Sequence, residues 1–340
     1  MKTKTVVASF LCQWLAFGGI ILAQQPTFEA VGTIPGPATT VYADDTHVFV
    51  SDGPTLKIYD LSDPSSPKFT GSYTFPQNIY GIKVQDTTAY AAVDFLGLGV
   101  LDVSDPSNPT LLSMFETGGQ ALSVDVSGNT AVVANRLSGL EIVDISQPTV
   151  PVSRGAYYTE GYATDVVAIG SMAYVVDRPG GLSIVDLSKT GEPSAESTHS
   201  MTERPATITA SKLTASAPGA NLVGVMSTDA LLELFDVSDP TSPMPLITYR
   251  HSERPPLGQN IASPRTILNG SLAFITDANP PFLIQAVDFS DVKSPEFVAS
   301  YDLNGSPSYI SISDSFVFLV VKNLNPEEDS PGILILRFKP

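Results

Sequence analysis

Short segments rich in apolar residues follow one another along the chain, separated by polar turns that contain proline or glycine. The first four read ATTVYA, HVFVSD, TLKIYDLS and KFTGSYTF, within residues 38–75. Their β-branched and aromatic content and their roughly alternating pattern are typical of β-strands. No long stretch repeats its apolar residues at the helical spacing of about 3.6. The pattern therefore predicts many strands and few helices.

The third of these segments recurs at regular intervals. Its copies share one aspartate, and the intervals between successive aspartates are 42, 42, 42, 50 and 52 residues. A seventh copy, GILILRFKP, has Arg337 in place of the aspartate. Four-stranded units at this spacing are typical of β-propeller blades. The shared aspartates are Asp60, Asp102, Asp144, Asp186, Asp236 and Asp288.

Each shared aspartate stands at the beginning of a turn whose commonest form is S-D-P-x-x-P. A carboxylate at such a place accepts hydrogen bonds from nearby backbone N–H groups, and the proline cannot continue a sheet ladder. A residue that repeats at a repeated position is explained by the fold. We therefore interpret these aspartates as turn-capping groups rather than as a binding site.

The outermost strands indicate that the blades close into a ring. Six prolines open such strands after the repeated turn, which leaves the seventh unit without an outer strand. A spare copy stands near the start, where QPTFEAVGTI resembles SPKFTGSYTF. We expect Phe28–Ile34 to pair with Ile333–Phe338, because this pairing removes an exposed sheet edge. The sequence thus predicts an all-β, seven-bladed β-propeller with four-stranded blades, the last one closed by the N-terminal strand.

Two of the copies carry a family resemblance. GLEIVDIS at 139–146 and GLSIVDLS at 181–188 resemble the LVIVD repeat, which is found in bacterial and other extracellular proteins regarded as propellers. The resemblance extends over essentially the whole chain after the first 23 residues, and the pattern weakens towards the last blades. It implies the architecture and no single activity.

The first residues predict an export signal. Lys2 and Lys4 give a basic start, Val6 to Leu22 is mostly apolar, and Ala23 suits a cleavage site. A membrane anchor is the alternative, but one glutamine and two glycines interrupt a stretch already short for a span of about 20 residues. We therefore expect a signal peptide over 1–23, a single propeller domain over 24–340 with no membrane span, and a secreted or cell-surface location.

Composition narrows the chemistry further. The single cysteine and the single tryptophan, Cys12 and Trp14, lie within the predicted signal, so the mature chain would have no disulfide. Acidic residues number 35 against 18 basic ones, which gives a formal net charge of −17. An acidic surface repels nucleic acid and anionic lipid and is compatible with solubility, a basic partner or a cation. We expect a monomer that does not bind nucleic acid.

Candidate binding residues lie on the loops that form the mouth of a propeller. These loops run from an outer strand to the next inner strand and between the second and third strands of a blade. Several carboxylates there would converge on the axis and make a Ca²⁺ site conceivable, although an aspartate that caps its own hairpin is the favoured alternative. The candidate binding residues are Asp52, Asp94, Asp177, Tyr80, Tyr162, Arg204 and Arg254.

Insertions at 250–260, 277–282 and 322–332 break the repeat on the mouth side of blades five to seven. Departures from a repeat are more often functional than the repeat itself, and insertion tolerated in surface loops is the alternative. The candidate catalytic residues of this region are His251, Glu253 and Asp277. The sequence contains neither G-x-S-x-G nor H-E-x-x-H, so no motif supports catalysis.

Three functions fit these observations. The favoured one is a non-enzymatic extracellular module that binds a protein, peptide, glycan or small molecule at its mouth. The second is a secreted lyase, hydrolase or isomerase-type cyclase with its site over blades five to seven, and the third is a scaffold stabilised by a cation. N-G-S triplets also make Asn269 and Asn304 candidate glycosylation acceptors.

Overall fold

The strands of this protein form seven four-stranded antiparallel sheets, which are the blades of a propeller. The computed structural model describes residues 25–189, 191, 193–201, 205–212, 221–250, 264–277, 280–313, 315–322 and 332–340. Within these ranges the helical content is one 3₁₀ turn, Asp94–Leu96. The predicted seven-bladed, almost helix-free architecture is confirmed.

In every blade except the last, the strands run from the axis outwards in chain order. Blade 1 contains β2 (Thr40–Ala43), β3 (His47–Asp52), β4 (Thr55–Asp60) and β5 (Lys68–Thr74). Blade 2 contains β6 (Ile79–Gln85), β7 (Thr88–Val93), β8 (Gly97–Asp102) and β9 (Thr110–Phe115). Blade 3 contains β10 (Ser123–Ser127), β11 (Thr130–Ala134), β12 (Leu140–Asp144) and β13 (Val152–Tyr157).

The remaining blades follow the same order. Blade 4 contains β14 (Tyr162–Ile169), β15 (Met172–Arg178), β16 (Gly181–Asp186) and β17 (Ala195–His199). Blade 5 contains β18 (Pro205–Lys212), β19 (Asn221–Ser227), β20 (Leu231–Asp236) and β21 (Met244–Arg250). Blade 6 contains β22 (Thr266–Asn269), β23 (Leu272–Asp277), β24 (Leu283–Asp288) and β25 (Glu296–Asp302). Blade 7 contains β26 (Ser306–Ile312), β27 (Phe316–Lys322), β28 (Gly332–Lys339) and, outermost, β1 (Thr27–Ile34).

The N-terminal strand closes the ring as the sequence predicts. Strand β1 pairs antiparallel with β28, and Phe28 lies opposite Phe338 while Ile34 lies opposite Ile333. An ion pair reinforces this junction, because Lys339 Nζ lies 2.8 Å from Glu29 Oε2. The two ends of the described chain thus share one blade, and β28 has no free edge.

An apolar core lies between each pair of neighbouring blades, which gives seven cores among the described residues. The repeat explains how each blade serves two cores. In β12, Leu140 and Ile142 pack against blade 4, whereas Val143 packs against blade 2. All three are 0% exposed. Because both faces of a blade are covered, its third strand reads as a continuous apolar run.

The shared aspartates cap the turn between third and fourth strands, as predicted. In each, a carboxylate oxygen accepts the backbone N–H of the serine two residues later at 2.6–2.9 Å. The Ser104 hydroxyl, and after it the Ser104 backbone N–H, favour the ionised form of Asp102, so the pKa of this carboxyl lies below its ordinary value. The serines that donate are Ser62, Ser104, Ser146, Ser188, Ser238 and Ser290.

Truncation of Phe28 tests whether ring closure stabilises the fold. Phe28 is 7% exposed and contacts Phe274 of blade 6 and Phe338 of its own blade, with ring centroids 6.0 and 5.2 Å away. We expect Phe28→Ala to lower the free energy of unfolding by about 3 kcal/mol or more, as measured by urea denaturation. Phe69 occupies the outermost strand of blade 1 but is 57% exposed. Phe69→Ala is the matched control, with an expected loss of about 1 kcal/mol or less; equal losses would contradict the closure.

Candidate functional site

The two ends of the propeller carry different loops, and we name them separately. We call the mouth face the end where the inner strands begin and where each second strand turns into the third. The turn face is the opposite end, where the aspartate-capped turns lie. A β-bulge marks the mouth end of the inner strand in blades 2, 4, 5 and 7. Bulges re-aim side chains and are common next to functional sites.

A chain of side-chain contacts crosses the mouth face over blades 2 to 4. The amide nitrogen of Gln120 donates to Asp94 Oδ1 at 2.9 Å, and its oxygen accepts from Arg136 Nη1 at 2.7 Å. The Arg136 guanidinium then lies 5.7 Å from the ring centroid of Tyr162. Loops from three blades are therefore held in one arrangement by Gln120 and Arg136.

Large apolar side chains stand exposed along this chain of contacts. Phe95 follows Asp94 and is 65% exposed, Leu137 follows Arg136 and is 70% exposed, and Tyr158 is 75% exposed. Tyr157 pairs with Leu140, so the Tyr158 backbone lies beside the turn that contains Leu137. We call this surface the mouth band, and it consists of Phe95, Arg136, Leu137, Tyr158 and Tyr162.

The other large exposed apolar side chains of the described residues do not cluster in this way. They lie at or beside the starts of outermost strands, and they are distributed over five blades. Apolar residues scattered singly over a surface need no functional explanation, whereas a contiguous exposed patch does. These scattered residues are Phe69, Leu111, Val150, Val152, Met244 and Phe297.

Carboxylates surround the mouth band. Glu116 and Glu160 are exposed on neighbouring loops, and Asp94 adds a half-buried carboxylate. Against these three acids stand two guanidiniums, that of Arg136 in the band and that of Arg178 at the mouth end of blade 4. The local charge therefore agrees in sign with the formal net charge of −17 for the whole chain.

A cavity of about 970 Å³ occupies the axis of the ring. The inner strands of all seven blades line it, and their alternate residues point towards the axis in two rings. The upper channel ring, nearer the mouth face, comprises Thr40, Gly81, Ser123, Asp165, Thr207, Arg265 and Tyr309. The middle channel ring comprises Tyr42, Lys83, Asp125, Val167, Thr209, Ile267 and Ser311.

The LVIVD repeat family matches four consecutive segments of the chain, residues 35–75, 80–117, 118–159 and 160–199. Each segment corresponds to one of the first four blades. The first four blades thus carry LVIVD repeats, and we call the molecule the LVIVD propeller after them. A comparison with curated protein sequences returns no significant match.

Solved structures resemble the LVIVD propeller in fold alone. The Cps50 (Swd1) β-propeller domain of Myceliophteria thermophila superposes with a TM-score of 0.67 at 12% identity, covering 91% of this chain and 99% of that one. The computationally designed Ika8 protein superposes with a TM-score of 0.63 at 8% identity, covering 93% of this chain and 100% of that one. Identities this low carry the architecture and no activity.

Of the aspartates predicted for binding or catalysis, Asp52 pairs with a neighbouring lysine, and Asp177 and Asp277 are buried. Asp52 forms an ion pair with Lys57 of its own hairpin at 2.7 Å. Asp177 is 3% exposed and its Oδ2 accepts the Gly161 N–H at 3.0 Å, while burial raises the pKa of this carboxyl. Asp277 is also 3% exposed. The Asp52 contact matches the alternative in which an aspartate caps its own hairpin, whereas Asp177 holds the loop that leads into β14.

The tyrosines and Asp94 are placed differently. Tyr80 is the extra residue of the bulge that begins β6 and is half-buried at the mouth face. Tyr162 is 43% exposed within the mouth band, and Asp94 hydrogen-bonds to Gln120 beside it. Two of the predicted binding residues are thus brought together, whereas Phe95, Leu137 and Tyr158 were not predicted. Their sequence signal is a large apolar residue at a turn where neighbouring repeats have glycine, proline or a polar residue.

The other predicted residues either lie outside the described ranges or stay untested. Arg204, His251, Glu253 and Arg254 are outside the described residues of the LVIVD propeller, so the pocket over blades five to seven stays a prediction. Asn269 and Asn304 are exposed. In the described part of the chain no group of three His, Cys, Asp or Glu side chains lies close enough to hold a metal ion. No helix in the described part is long and apolar enough to cross a membrane.

Proposed function

We propose that this LVIVD propeller is an exported interaction module that binds a protein or peptide segment through the mouth band. The observation that carries the proposal is the concentration of Phe95, Leu137, Tyr158 and Tyr162 on one face. Aromatic residues and arginine are enriched in the cores of protein interfaces, where they contribute most of the binding free energy. Exposed apolar side chains gathered on neighbouring loops of one face are typical of an interaction site.

The surroundings of the band indicate the chemistry of the partner. Asp94, Glu116 and Glu160 make the rim acidic, and the Arg136 guanidinium already contacts Gln120 and Tyr162. A partner segment with apolar side chains at its centre and lysine or arginine at its edges complements this surface. Opposite charges at the rim mainly raise the association rate, and the apolar centre slows dissociation.

The band is held in place before any partner binds. Gln120 connects Asp94 of blade 2 to Arg136 of blade 3, and Arg136 connects to Tyr162 of blade 4. Backbone bonds add to this, because Arg136 and Ala163 exchange N–H···O contacts at 2.9 and 3.0 Å. A surface ordered in advance loses less conformational entropy on binding, which favours affinity.

A peptide-display experiment tests the mouth band directly. A random 12-residue peptide library is selected on the wild-type protein, and each enriched peptide is then titrated against variants. We expect enriched peptides to combine aromatic or aliphatic residues with lysine or arginine. The double substitution Phe95→Ala and Leu137→Ala should weaken their binding at least tenfold, because both side chains are exposed and dispensable for folding.

Residues of the same type elsewhere on the surface provide the control. Phe69→Ala with Leu111→Ala removes two exposed apolar side chains from outermost strands without touching the mouth face. This second double variant should bind the peptides as the wild type does. Peptides that lose binding only in the second variant, or a selection that enriches none, would contradict the proposal.

Export is the second part of the proposal and rests on the N-terminal sequence. The basic start, the apolar stretch and Ala23 together have the form of a cleaved secretory signal. When the full chain is expressed in an exporting host, the extracellular product should begin at Gln24, as read by N-terminal sequencing. Leu15→Arg, which interrupts the apolar stretch, should keep the protein inside the cell. An intact N-terminus on the protein, found inside the cell, would refute export.

A further inference from the structure

We propose that the axial cavity binds a small oxyanion, a carboxylate or a phosphate, on the Arg265 guanidinium. The proposal is independent of the mouth band and concerns the upper channel ring. It rests on the balance of charged and hydrogen-bonding groups that face the axis. Those groups are Lys83, Asp125, Asp165 and Arg265, with the phenols of Tyr42 and Tyr309.

The two carboxylates of the channel obtain their partners from the protein. Asp125 forms an ion pair with Lys83 at 2.9 Å, and its second oxygen accepts the Ala168 N–H at 2.8 Å. The two oxygens of Asp165 accept from the Ser123 hydroxyl at 2.6 Å and from the Ile208 N–H at 3.1 Å. Lys83 is thereby neutralised by Asp125. Asp165 takes its hydrogen bonds from a hydroxyl and from backbone N–H groups, and the Arg265 charge acts on it through space without a direct contact.

Arg265 is left as the cation of the upper channel ring. Its guanidinium lies 5.2 Å from the ring centroid of Tyr309 and forms no salt bridge with a described carboxylate. Its Nε is buried and has no hydrogen-bond acceptor among the described residues. Buried polar groups nearly always have a hydrogen-bond partner. A guanidinium carries five N–H donors and stays protonated in proteins. The Nε–H therefore lacks an acceptor, and an oxyanion supplies one whose charge and shape match the guanidinium.

The position of Arg265 departs from the repeat. The upper channel ring carries a different chemical type in almost every blade, from Gly81 to Asp165 to Tyr309. The third strands of the same blades keep their apolar pattern, because they form the cores between blades. Since the fold needs no arginine at this level, its presence indicates a role other than blade packing.

The cavity is large enough for such a ligand and extends along the axis to the turn face. Its volume of about 970 Å³ falls within the usual range of small-molecule sites. Its lining continues from Arg265 to Gly170 and Ser238 at the turn face, between blades 4 and 5. A small anion can therefore occupy the axis without displacing a core side chain.

The geometry of arginine selects the ligand class. Its planar fork forms two parallel hydrogen bonds with a carboxylate or a phosphate and none of this kind with a monatomic anion. Tyr309 beneath the guanidinium holds the fork in one plane. The Tyr309 phenol and the neighbouring Thr207 hydroxyl belong to the same ring of groups around Arg265.

Isothermal titration calorimetry tests the site with two probes. The wild-type protein is titrated separately with phosphate and with succinate, at an ionic strength kept constant with sodium chloride. We expect saturable binding of one anion per chain for at least one probe, accompanied by a rise in melting temperature that grows with probe concentration. Phosphate alone would identify a phosphate site, succinate alone a carboxylate site, and both a general oxyanion site.

Substitution at the arginine decides whether the binding occurs in the channel. Arg265→Gln should weaken binding of the probe at least tenfold, and Arg265→Lys should weaken it as well, because lysine lacks the fork. Arg250→Gln makes the same chemical change on the outermost strand of blade 5 and should leave binding unchanged.

Three results would overturn the proposal. The first is no saturable binding of either anion by the wild type, which needs no variant to interpret. The second is equal competition by chloride at the same concentration, and the third is unchanged binding by Arg265→Lys and Arg265→Gln. If Arg265→Gln does not fold, the wild-type and Arg265→Lys titrations still decide the question.

Discussion

The structure depends on one constraint, which is that each blade has two apolar faces and can bury both only if a neighbour stands on either side. Seven inter-blade cores meet this requirement, including the core between blade 7 and blade 1 that contains Ile34, Val41 and Phe318. A ring has no end blades, so it needs no capping unit of the kind that open repeat arrays require. Closure by β1 on β28 joins the last blade to the start of the described chain.

This constraint separates the residues that build the ring from those that are available for function. The third strands pack against a neighbouring blade on both faces, and the shared aspartates form the hydrogen bonds of their turns. Inner-strand side chains that point to the axis and side chains at the tips of mouth loops are free of both tasks. Arg265 and Asp165 belong to the first group, and Phe95 and Leu137 belong to the second. The proposed sites lie where the repeat leaves residue identity unconstrained.

The sequence predicts the ring well because the ring is made by repetition. The period of the aspartates identifies the blades, and the spare copy containing Phe28 identifies the closing strand, which the register with Phe338 confirms. Each of these sequence patterns is short, and each occurs in several copies along the chain. The capping role of Asp102 follows from the same repetition.

The sites were harder to predict, for physical reasons that particular residues illustrate. Asp177 has the sequence position of a mouth-facing carboxylate, but its side chain turns inward to accept the Gly161 N–H. Asp165 and Arg265 face the axis at one level only because bulges and loop lengths set the register of each inner strand, and no single segment encodes that register. The mouth band gathers Phe95 and Tyr158, which are 63 positions apart in sequence. Neither the composition nor the period of the repeat predicts that these two residues lie on the same face.

Amide hydrogen exchange of β1 tests the central claim of a closed ring most directly. The β1 amides bonded to β28 should exchange as slowly, within about tenfold, as the amides of β5 that bond to β4, since both strands are the outer edge of a complete blade. Such protection means that the junction opens only when the ring as a whole unfolds. Exchange of the β1 amides that is orders of magnitude faster, with β5 still protected, would show an open ring and contradict the account.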